Sequence, residues 1–519
     1  MPLSVLIWLP AATALVAALA PPPVGRRVTL AGALGALAIA VGYVLSFDGG
    51  RDDLQFVTDR VWISGLGIHY KLGLDGLNLF LILLAALLFA AAVLAANLRE
   101  WDRPRLFYFQ LALAESGVLG AFAAQDLALF VGFFDLMLIP FYFLVGAWGG
   151  RDRVRATTKL VIYTLVGSLF MLAGAIATGV IAGQGDRPDF VLSDLVQLQL
   201  PKSSQEWIFL CFAAAFLVKM PLFPLHAWMP DGYRAMPLPV LAVFSAVLSK
   251  VAAYGFLRIV LPVLPDAAAH FQTLILLIAL ASILYGSVMA FTQTDARLIL
   301  GYSSIAQLGF ITLGIFSLRP EGAQGALLQM FNHGLVVAPL FFIIGLLAAR
   351  AGGSEDVRDM GGIAFRAPVL ASLFLITALA TLAMPGSANF AGEFLILLGA
   401  FKAKLVIAVV AFTGVVLASV YMLRAFIRTM HNRLGEHVES REIAPADAVV
   451  VVPLVAAIVA LAFYPQLPLA RSQQAVTGAV RTAQLIANPA RQAGPARSPA
   501  PETTPPPGGA EHGARGAGR

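Results

Sequence analysis

The chain has 519 residues, of which 59% are hydrophobic and only 12% are charged; its net charge is +6 and its mean hydropathy is +0.82. Soluble domains carry roughly 25% charged residues, so a soluble globular fold is excluded. The positive charge lies in short loops between apolar segments, where membrane topology explains it. We therefore expect a lipid bilayer and no nucleic acid as its surroundings.

Apolar stretches near 20 residues long recur along the chain, and each could cross a hydrocarbon core of roughly 30 Å. The first stretch lacks the Lys or Arg that begins a signal peptide, so we interpret it as a helix that is retained. We predict an all-α polytopic membrane protein with about fourteen transmembrane helices. The candidate spans are 3–21, 28–46, 74–97, 106–123, 126–148, 158–183, 206–228, 237–262, 271–293, 297–317, 323–349, 366–402, 405–429 and 446–464.

Alternate loops between these spans are rich in Lys and Arg. If the spans alternate in direction, these loops share one side of the membrane, and the positive-inside rule predicts that this side is cytoplasmic. Both termini are then outside. The loops concerned carry Arg26, Arg27, Arg99, Arg103, Arg105, Arg151, Arg153, Arg155, Lys159, Arg297, Arg350, Arg358, Arg366, Arg428, Arg433 and Arg441.

Two spans contain helix breakers next to a charge. The seventh includes Pro221 and Pro224 after Lys219, and the twelfth includes Pro385 before Glu393. Proline removes a backbone donor and clashes with the preceding turn, so both helices are predicted to be broken. Broken helices five spans apart indicate two inverted five-helix repeats, since an odd number of spans separates them.

These patterns divide the chain into five parts. The last part is rich in Pro, Ala, Gly and Arg and is predicted to be disordered, because it cannot bury a core. The parts are helices 1–3 in 1–105, the first repeat (helices 4–8) in 106–262, the second repeat (helices 9–13) in 271–430, the last transmembrane helix with its flank in 431–485, and the tail 486–519.

Cys211 is the single cysteine, so a disulfide within the chain and a cysteine-ligated iron–sulfur cluster are excluded. The sequence also lacks a phosphate-binding glycine motif and an HExxH zinc motif. We expect no metal and no cofactor in this chain, and any redox chemistry is assigned to a partner.

Four ionisable residues lie inside apolar spans: Asp135, Lys219, Lys250 and Glu393. Each costs about 2.5–3.5 kcal/mol at the centre of a membrane helix, so a purely structural role would be a poor reason to keep all four. Glu115 in the fourth span is a fifth candidate. The last two candidate site residues are His226 and His333, which are possible relays because histidine titrates near physiological pH.

The functional interpretation of these residues is a proton path. An opposite charge stabilises the ionised form of a buried group, so a pair between Asp135 and Lys219 that forms and breaks would change the affinity of the lysine for its proton. The proton would then pass toward Lys250 and Glu393. The alternative interpretation is a set of static interhelical ion pairs, or lysines that extend to the membrane surface.

Several short motifs resemble one family, the antiporter-like subunits of respiratory complex I, the proton-pumping NADH:quinone oxidoreductase, and among them subunit M. The similarity covers residues 70–430. The matching stretches include Leu72-Gly73-Leu74-Asp75-Gly76-Leu77, Thr157-Thr158-Lys159, Val218-Lys219-Met220-Pro221, His226-Ala227-Trp228-Met229-Pro230-Asp231, Tyr254-Gly255-Phe256-Leu257-Arg258, Gly301-Tyr302-Ser303-Ser304, Asn332-His333-Gly334 and Asn389-Phe390-Ala391-Gly392-Glu393.

The resemblance implies fourteen helices, two inverted repeats and a proton path. In this sequence, the family's carboxylate–lysine pair corresponds to Asp135 and Lys219. The resemblance also makes Lys250 the central lysine and Glu393 the acidic exit residue. Glutamate instead of lysine at the last position is typical of subunit M. The family usually has glutamate at position 135 as well, so the shorter aspartate is expected to lengthen its contact with Lys219 or to need a bridging water.

The resemblance also implies a bacterial plasma (inner) membrane location and partners in a larger complex, especially antiporter-like subunits on either side. Flavin, iron–sulfur clusters and quinone are then expected in other subunits. Three alternatives stay open: a subunit of an Mrp-type cation/proton antiporter, the membrane subunit of an energy-converting hydrogenase, and a structural membrane scaffold.

Overall fold

The structure is a computed structural model that describes residues 2–51, 53–185, 187–198, 200–435 and 437–488. In the first third of the chain, two α-helices precede one β-hairpin and five follow it. The elements are α1 (Leu3–Leu19), α2 (Pro22–Ser46), β1 (Gln55–Ile63), β2 (Ile68–Leu74), α3 (Leu79–Asn97), α4 (Pro104–Ala123), α5 (Leu127–Leu136), α6 (Leu138–Trp148) and α7 (Arg153–Ala182).

The remaining secondary-structure elements that the structure describes are all helices. Its elements are α8 (Leu192–Gln197), α9 (Lys202–Lys219), α10 (Met229–Ala235), α11 (Leu238–Val263), α12 (Pro265–His270), α13 (Gln272–Thr292), α14 (Ala296–Phe316), α15 (Pro320–Arg350), α16 (Pro368–Thr381), α17 (Ala388–Ala403), α18 (Leu405–Met430), α19 (Pro445–Phe463) and α20 (Gln466–Ala487).

Local sequence explains where many helices begin. Proline occupies the first turn of α4, α15, α16 and α19, where its missing N–H costs no hydrogen bond. Asp126 caps α5 by accepting a bond from the N–H of Leu129, and Asp295 caps α14 by accepting one from Leu298. Residues with apolar or small side chains then continue each helix.

The prediction of an all-α polytopic membrane fold is confirmed. Within the described residues, eleven helices are long and apolar enough to cross a membrane, and α1 and α16 are shorter apolar helices. Each of the fourteen candidate spans overlaps a helix or a pair of helices. The number of helices that cross the membrane and the two inverted repeats remain predictions.

Both predicted helix interruptions are present. The chain leaves the helical conformation after Lys219 and becomes helical again at Met229, and it is not helical between Thr381 and Ala388. The two breaks differ in form. The second separates two half-helices of comparable length, whereas the first leaves only the seven-residue α10 before α11 begins.

The β-hairpin was not predicted from the sequence. Strands β1 and β2 pair antiparallel, and α3 begins at Leu79 rather than at residue 74. The turn between the strands ends at Gly67, whose φ of 64° suits glycine. Val57, Val61 and Ile63 in β1 are the β-branched signal that predicts such a strand.

One end of the helical bundle, termed the arginine face, carries the basic loops 97–106, 149–155, 231–238, 293–297, 350–367 and 431–444. These loops contact one another. The N–H of Gly150 donates to the carbonyl of Ala235 at 2.8 Å, and Arg297 Nη1 donates to the carbonyl of Met236 at 2.6 Å. The predicted grouping of basic loops on one side is therefore found, and which side is cytoplasmic remains a prediction.

The opposite end, termed the hairpin face, consists of β1, β2, α8, α12 and α20. The N–H of Gln125 donates to Lys71 O of the hairpin at 2.8 Å, and Gln324 donates to Ser472 of α20 at 2.7 Å. The first helix starts at this face, because Tyr70 of the hairpin donates to Ser4. Both described ends of the chain therefore lie on the same face.

The last helix overlaps the predicted disordered tail by two residues. Helix α20 ends at Ala487, although the tail was expected to begin at residue 486. The rest of that prediction, from residue 489 to 519, lies outside the described residues.

Candidate functional site: a line of buried charged groups

The first group of charges joins α5, α7 and α9. Lys219 Nζ lies 3.2 Å from Asp135 Oδ1 and donates to Ser168 Oγ at 2.9 Å. Ser168 in turn donates to Asp135 Oδ1 at 2.5 Å, and the ammonium lies 3.8 Å from the ring centre of Phe134. The residues Asp135, Ser168 and Lys219 are called the Lys219 cluster below.

Lys219 is positioned by the break in its helix. It is the last residue of α9, where the carbonyl ends of the helix favour a positive charge. Pro221 prevents the helix from continuing, and Trp228 uses its indole N–H to bond the carbonyl of Val218 at 3.0 Å. The break thus leaves the carbonyl of Val218 paired and places the ammonium beside Asp135.

The shorter side chain of Asp135 still reaches its partner directly. The direct 3.2 Å contact needs no bridging water. Helix α4 packs tightly behind this segment, because a Cβ on Gly117 would lie 2.8 Å from the Cα of Met137. The side chain of Lys219 is only 4% exposed, whereas that of Asp135 is 39% exposed in this single chain.

Lys250 lies in the middle of α11 and is completely buried. Its ammonium donates to the carbonyl of Ser245 at 2.9 Å. Among the described residues no carboxylate pairs with it. Two π-helical turns, Phe244–Leu248 and Phe256–Val260, flank it, and π turns in α-helices are frequent at functional sites.

His333 lies in α15, next to the point where this helix packs against the segment of α11 that precedes Lys250. The helices are close here, since a Cβ on Gly334 would lie 2.8 Å from the carbonyl of Ala246. His333 is 3% exposed, and its Nδ1 atom has no hydrogen-bond partner within the described part of the chain.

The second group joins α14, α15 and α17. Glu393 Oε1 accepts a hydrogen bond from Gln307 at 2.7 Å and a longer one from Gln329 at 3.4 Å. Gln329 also donates to Gln307 at 2.7 Å. All three side chains are buried, and their residues are called the Glu393 cluster below.

The remaining two candidates lie apart from these clusters. His226 follows the break after α9, and its Nε2 atom is 3.1 Å from the hydroxyl of Tyr285. Glu115 in α4 is 1% exposed, and neither carboxyl oxygen has a hydrogen-bond partner among the described residues. The structure therefore joins Asp135 to Lys219 and packs the helix of His333 against the helix of Lys250. Among the described residues, the hydrogen bonds of His226 and Glu115 reach none of these four side chains.

Packing connects the separate groups along the bundle. A cavity of about 10 Å³ is lined by Lys219 and by Leu248, two residues before Lys250. Such a volume is near the minimum for one water molecule. On the other side, His333 and Gln329 are four residues apart in α15 and so share one helix face. The order is Lys219 cluster, Lys250, His333, Glu393 cluster.

Three residues of these clusters were not named as candidates from the sequence. They are Ser168, Gln307 and Gln329. Their signal was present, because uncharged polar residues inside apolar helices also need partners. The amide groups that hold Glu393 carry no charge, so the cost of a buried charge does not point to them.

The fold and this line of buried groups define a class: a polytopic membrane protein built to hold charge inside the bilayer. A family model described as "NADH:quinone oxidoreductase/Mrp antiporter, TM" matches residues 124–418. NADH-quinone oxidoreductase subunit M of Mycobacterium tuberculosis is 36% identical over 504 residues, covering 89% of this chain and 91% of the relative.

Two solved structures give the same result. One chain of respiratory complex I from Thermus thermophilus with bound NADH matches with a TM-score of 0.85 and 33% identity, covering 93% of this chain and 99% of that one. A chain of the Mrp complex from Dietzia has a TM-score of 0.79 at 22% identity, covering 93% and 98%, which shows the shared fold alone.

The chain belongs to the family of membrane subunits of NADH:quinone oxidoreductases and Mrp antiporters. The resemblance to subunit M is confirmed.

Proposed function

We propose that this chain moves protons across the membrane as the subunit M of a bacterial NADH:quinone oxidoreductase. Quinone reduction elsewhere in the complex drives the movement. Asp135 and Lys219 form the ion pair that acts as the switch. Lys250 and His333 relay the proton, and Glu393 is the exit residue.

The observation that carries this proposal is the environment of Lys250. Its ammonium is fully buried and has a backbone carbonyl as its hydrogen-bond acceptor. A buried charge without an opposite charge is destabilising. A lysine kept in such a place is therefore suited to hold a proton only during part of a cycle.

The Lys219 cluster supplies a way to load Lys250. With the pair closed, the carboxylate of Asp135 stabilises the protonated form of Lys219. When the complex pulls the pair apart, Lys219 loses that stabilisation and releases its proton. The small cavity between Lys219 and Leu248 lies on the way to Lys250.

The Glu393 cluster suits the release step. Two amide groups hold one carboxyl oxygen without adding a charge, so the carboxyl can bind and release a proton without breaking an ion pair. His333 lies between Lys250 and this cluster. We assign His226, with Tyr285, and Glu115 supporting roles at the side of the path.

The chain itself carries out no redox chemistry in this proposal. Flavin, iron–sulfur clusters and quinone belong to other subunits, and the neighbouring antiporter-like subunits are its direct partners. The complex lies in the plasma membrane with the arginine face toward the cytoplasm, because that face carries the basic loops. Protons then leave at the hairpin face, on the outside.

The test uses the whole complex reconstituted in liposomes. A Lys250→Met variant is expected to lower NADH-driven proton translocation to about a tenth of wild type or less, a change of about 1.4 kcal/mol in barrier. Lys404→Met, which removes a lysine at the end of α17, is the matched control and should translocate normally. Full translocation by an assembled Lys250→Met complex would show that the buried charges are structural.

The same liposomes test the Mrp-type alternative, since the family includes such antiporters. An imposed sodium or potassium gradient should not drive proton movement when NADH is absent. Cation-driven proton movement that Lys250→Met abolishes would replace the proposed function by antiport.

A further inference from the structure

A large cavity opens at the hairpin face, beside the part of α11 that follows Lys250. Its volume is about 630 Å³, far above the roughly 10–15 Å³ that admits one water molecule. Several of its lining groups are polar, so it can hold water. They include Asp75, Gln125, Arg258, Gln474 and Arg481.

The cavity reaches the helix that carries Lys250. Lys250, Tyr254 and Arg258 are spaced four residues apart in α11, so they follow one side of that helix. At 1.5 Å per residue, Arg258 is only about 12 Å along the helix from Lys250. Water in this cavity would therefore offer Lys250 a short route to the hairpin face that bypasses Glu393.

Two of the residues that line this cavity, Asp75 and Arg258, form an ion pair. Arg258 Nη2 lies 2.5 Å from Asp75 Oδ1, and the two side chains are 12% and 13% exposed. Arg258 Nε also donates to the hydroxyl of Tyr254 at 2.9 Å, and that hydroxyl donates to the carbonyl of Phe122 at 3.1 Å. Along α11, the guanidinium and the phenol thus lie between the cavity and Lys250.

The turn that holds Asp75 is built firmly. Asp75 Oδ1 accepts the N–H of Leu77, and Asn78 donates to the carbonyls of Gly73 and Phe122, each at 2.9 Å. Helix α20 covers the turn so closely that a side chain on Gly76 would collide with the backbone of Arg471. The position of Arg258 is therefore fixed from both sides.

We infer that Arg258, held by Asp75 and Tyr254, is an electrostatic barrier that prevents protons from leaking between Lys250 and the cavity at the hairpin face. A guanidinium keeps its charge at every physiological pH, and a fixed positive charge in a water-filled passage repels protons. The barrier directs protons from Lys250 toward Glu393. This inference rests on the proposed role of Lys250 in carrying protons.

The experiment measures passive proton leak through the reconstituted complex without NADH, after a pH gradient is imposed across the liposomes. Arg258→Met should raise the leak at least about tenfold, because it removes the fixed charge. Arg481→Gln removes the charge of another residue that lines the same cavity; it is the matched control and should leave the leak at the wild-type level. An unchanged leak in the Arg258→Met complex would overturn the barrier.

Two further variants identify the route and the cause. Lys250→Met combined with Arg258→Met should return the leak to the wild-type level, whereas a leak that persists would show a route that avoids Lys250. Asp75→Asn keeps the guanidinium and should leak little; a leak equal to that of Arg258→Met would show mechanical closure and contradict a charge barrier. If Arg258→Met does not assemble, Arg258→Gln replaces it.

The outcome is separable from that of the proposed function. If Lys250→Met still lowers NADH-driven translocation while Arg258→Met leaves the leak unchanged, the barrier alone is wrong. If Lys250→Met translocates normally, the proposed function fails whatever the leak.

Discussion

The two broken helices hold opposite charges in opposite ways. In the Lys219 cluster, the ammonium is at the carbonyl end of α9 and is neutralised by a carboxylate that is partly exposed. In the Glu393 cluster, the carboxyl lies in the second turn of α17, and the donors that it receives from the described residues are neutral amides. The first arrangement depends on the distance between two charges, and the second does not. The difference suits a switch at one end of the path and a release site at the other.

Removal of the charge in the first cluster should have the largest effect. We expect Lys219→Met to lower NADH-driven proton translocation to about a hundredth of wild type, about 2.7 kcal/mol in barrier, because the switch has lost its cation. The measurement is the initial rate of internal pH change per assembled complex. Lys404→Met is again the control, and a rate above half of wild type would mean that no switch operates at this pair.

Neutralising the second cluster should have a smaller but clear effect. Glu393→Gln keeps the size of the side chain and a carbonyl oxygen that can accept from Gln307, so the complex should assemble. Translocation should fall to about a tenth of wild type, about 1.4 kcal/mol in barrier. Gln307→Leu, which removes the shorter hydrogen bond and no charge, should lose less, about threefold. If Gln307→Leu is the more severe variant, the cluster acts through its hydrogen bonds and not through a titrating carboxyl.

Position 135 tests whether charge or geometry decides the behaviour of the pair. Asp135→Asn should lose translocation about as strongly as Glu393→Gln, since it removes the charge that stabilises the lysine. Asp135→Glu adds one methylene to a contact that is already direct at 3.2 Å, so we expect a change of no more than about twofold, about 0.4 kcal/mol. Equal rates for Asn and Asp would contradict a charge-dependent switch.

Tight packing around the second cluster predicts a loss of stability. A methyl group on Gly392 would collide with Gln329 Oε1, so Gly392→Ala should displace that amide. We expect overpacking to cost about 1–3 kcal/mol and to lower the thermal unfolding temperature of the complex. Gly478→Ala is the control, because its Cβ would meet nothing within 4 Å. Similar unfolding temperatures for both variants would show that Gln329 moves freely.

The smallest effect concerns a loop on the arginine face, far from both clusters. Partial burial would raise the pKa of Glu442, but backbone N–H groups of Ile443, Val369 and Leu370 bond its carboxylate and hold that pKa below its ordinary value. A lowered pKa in the folded state means that the stabilisation is present above the unfolded pKa of about 4.3 and is lost as pH falls through the folded pKa.

The check is hydrogen exchange at Val369 and Leu370. Protection of these two amides should decrease below about pH 4, after correction for the intrinsic exchange rate. In Glu442→Gln, protection should be lower at neutral pH and should not change with acidification. Unchanged protection in that variant would mean that the carboxylate does not hold the loop.

The sequence was a good guide to the fold where one physical rule dominates. Apolar length located the helices, because a backbone that crosses lipid must pair its own hydrogen-bonding groups. Pro221 and Pro385 located the two breaks, because proline cannot continue a helix. The hairpin was missed although Val57 and Val61 are β-branched, because both are exposed and no buried face with a period of two residues marks the strand. Helix α20 was not predicted, because its buried apolar residues are spaced along one face and give no continuous apolar run.

The site was predictable in its charges and not in its neutral partners. Asp135 and Lys219 stand out as charges in apolar helices, and their pairing follows from the cost of leaving either alone. Gln307 and Gln329 lie on other helices from Glu393, and no local rule predicts which polar residues three helices bring together. The link between Lys250 and Arg258 also required the structure, since it depends on the cavity under α20.

The central claim is that opening the Lys219 pair changes the protonation of Glu393 at the far end of the path. Infrared difference spectroscopy of the complex during NADH oxidation measures it directly, through a carboxyl C=O band assigned by its loss in Glu393→Gln. We predict that the band appears in wild type and in Lys404→Met and is absent in Lys219→Met. A Glu393 band of full amplitude in Lys219→Met would contradict the account.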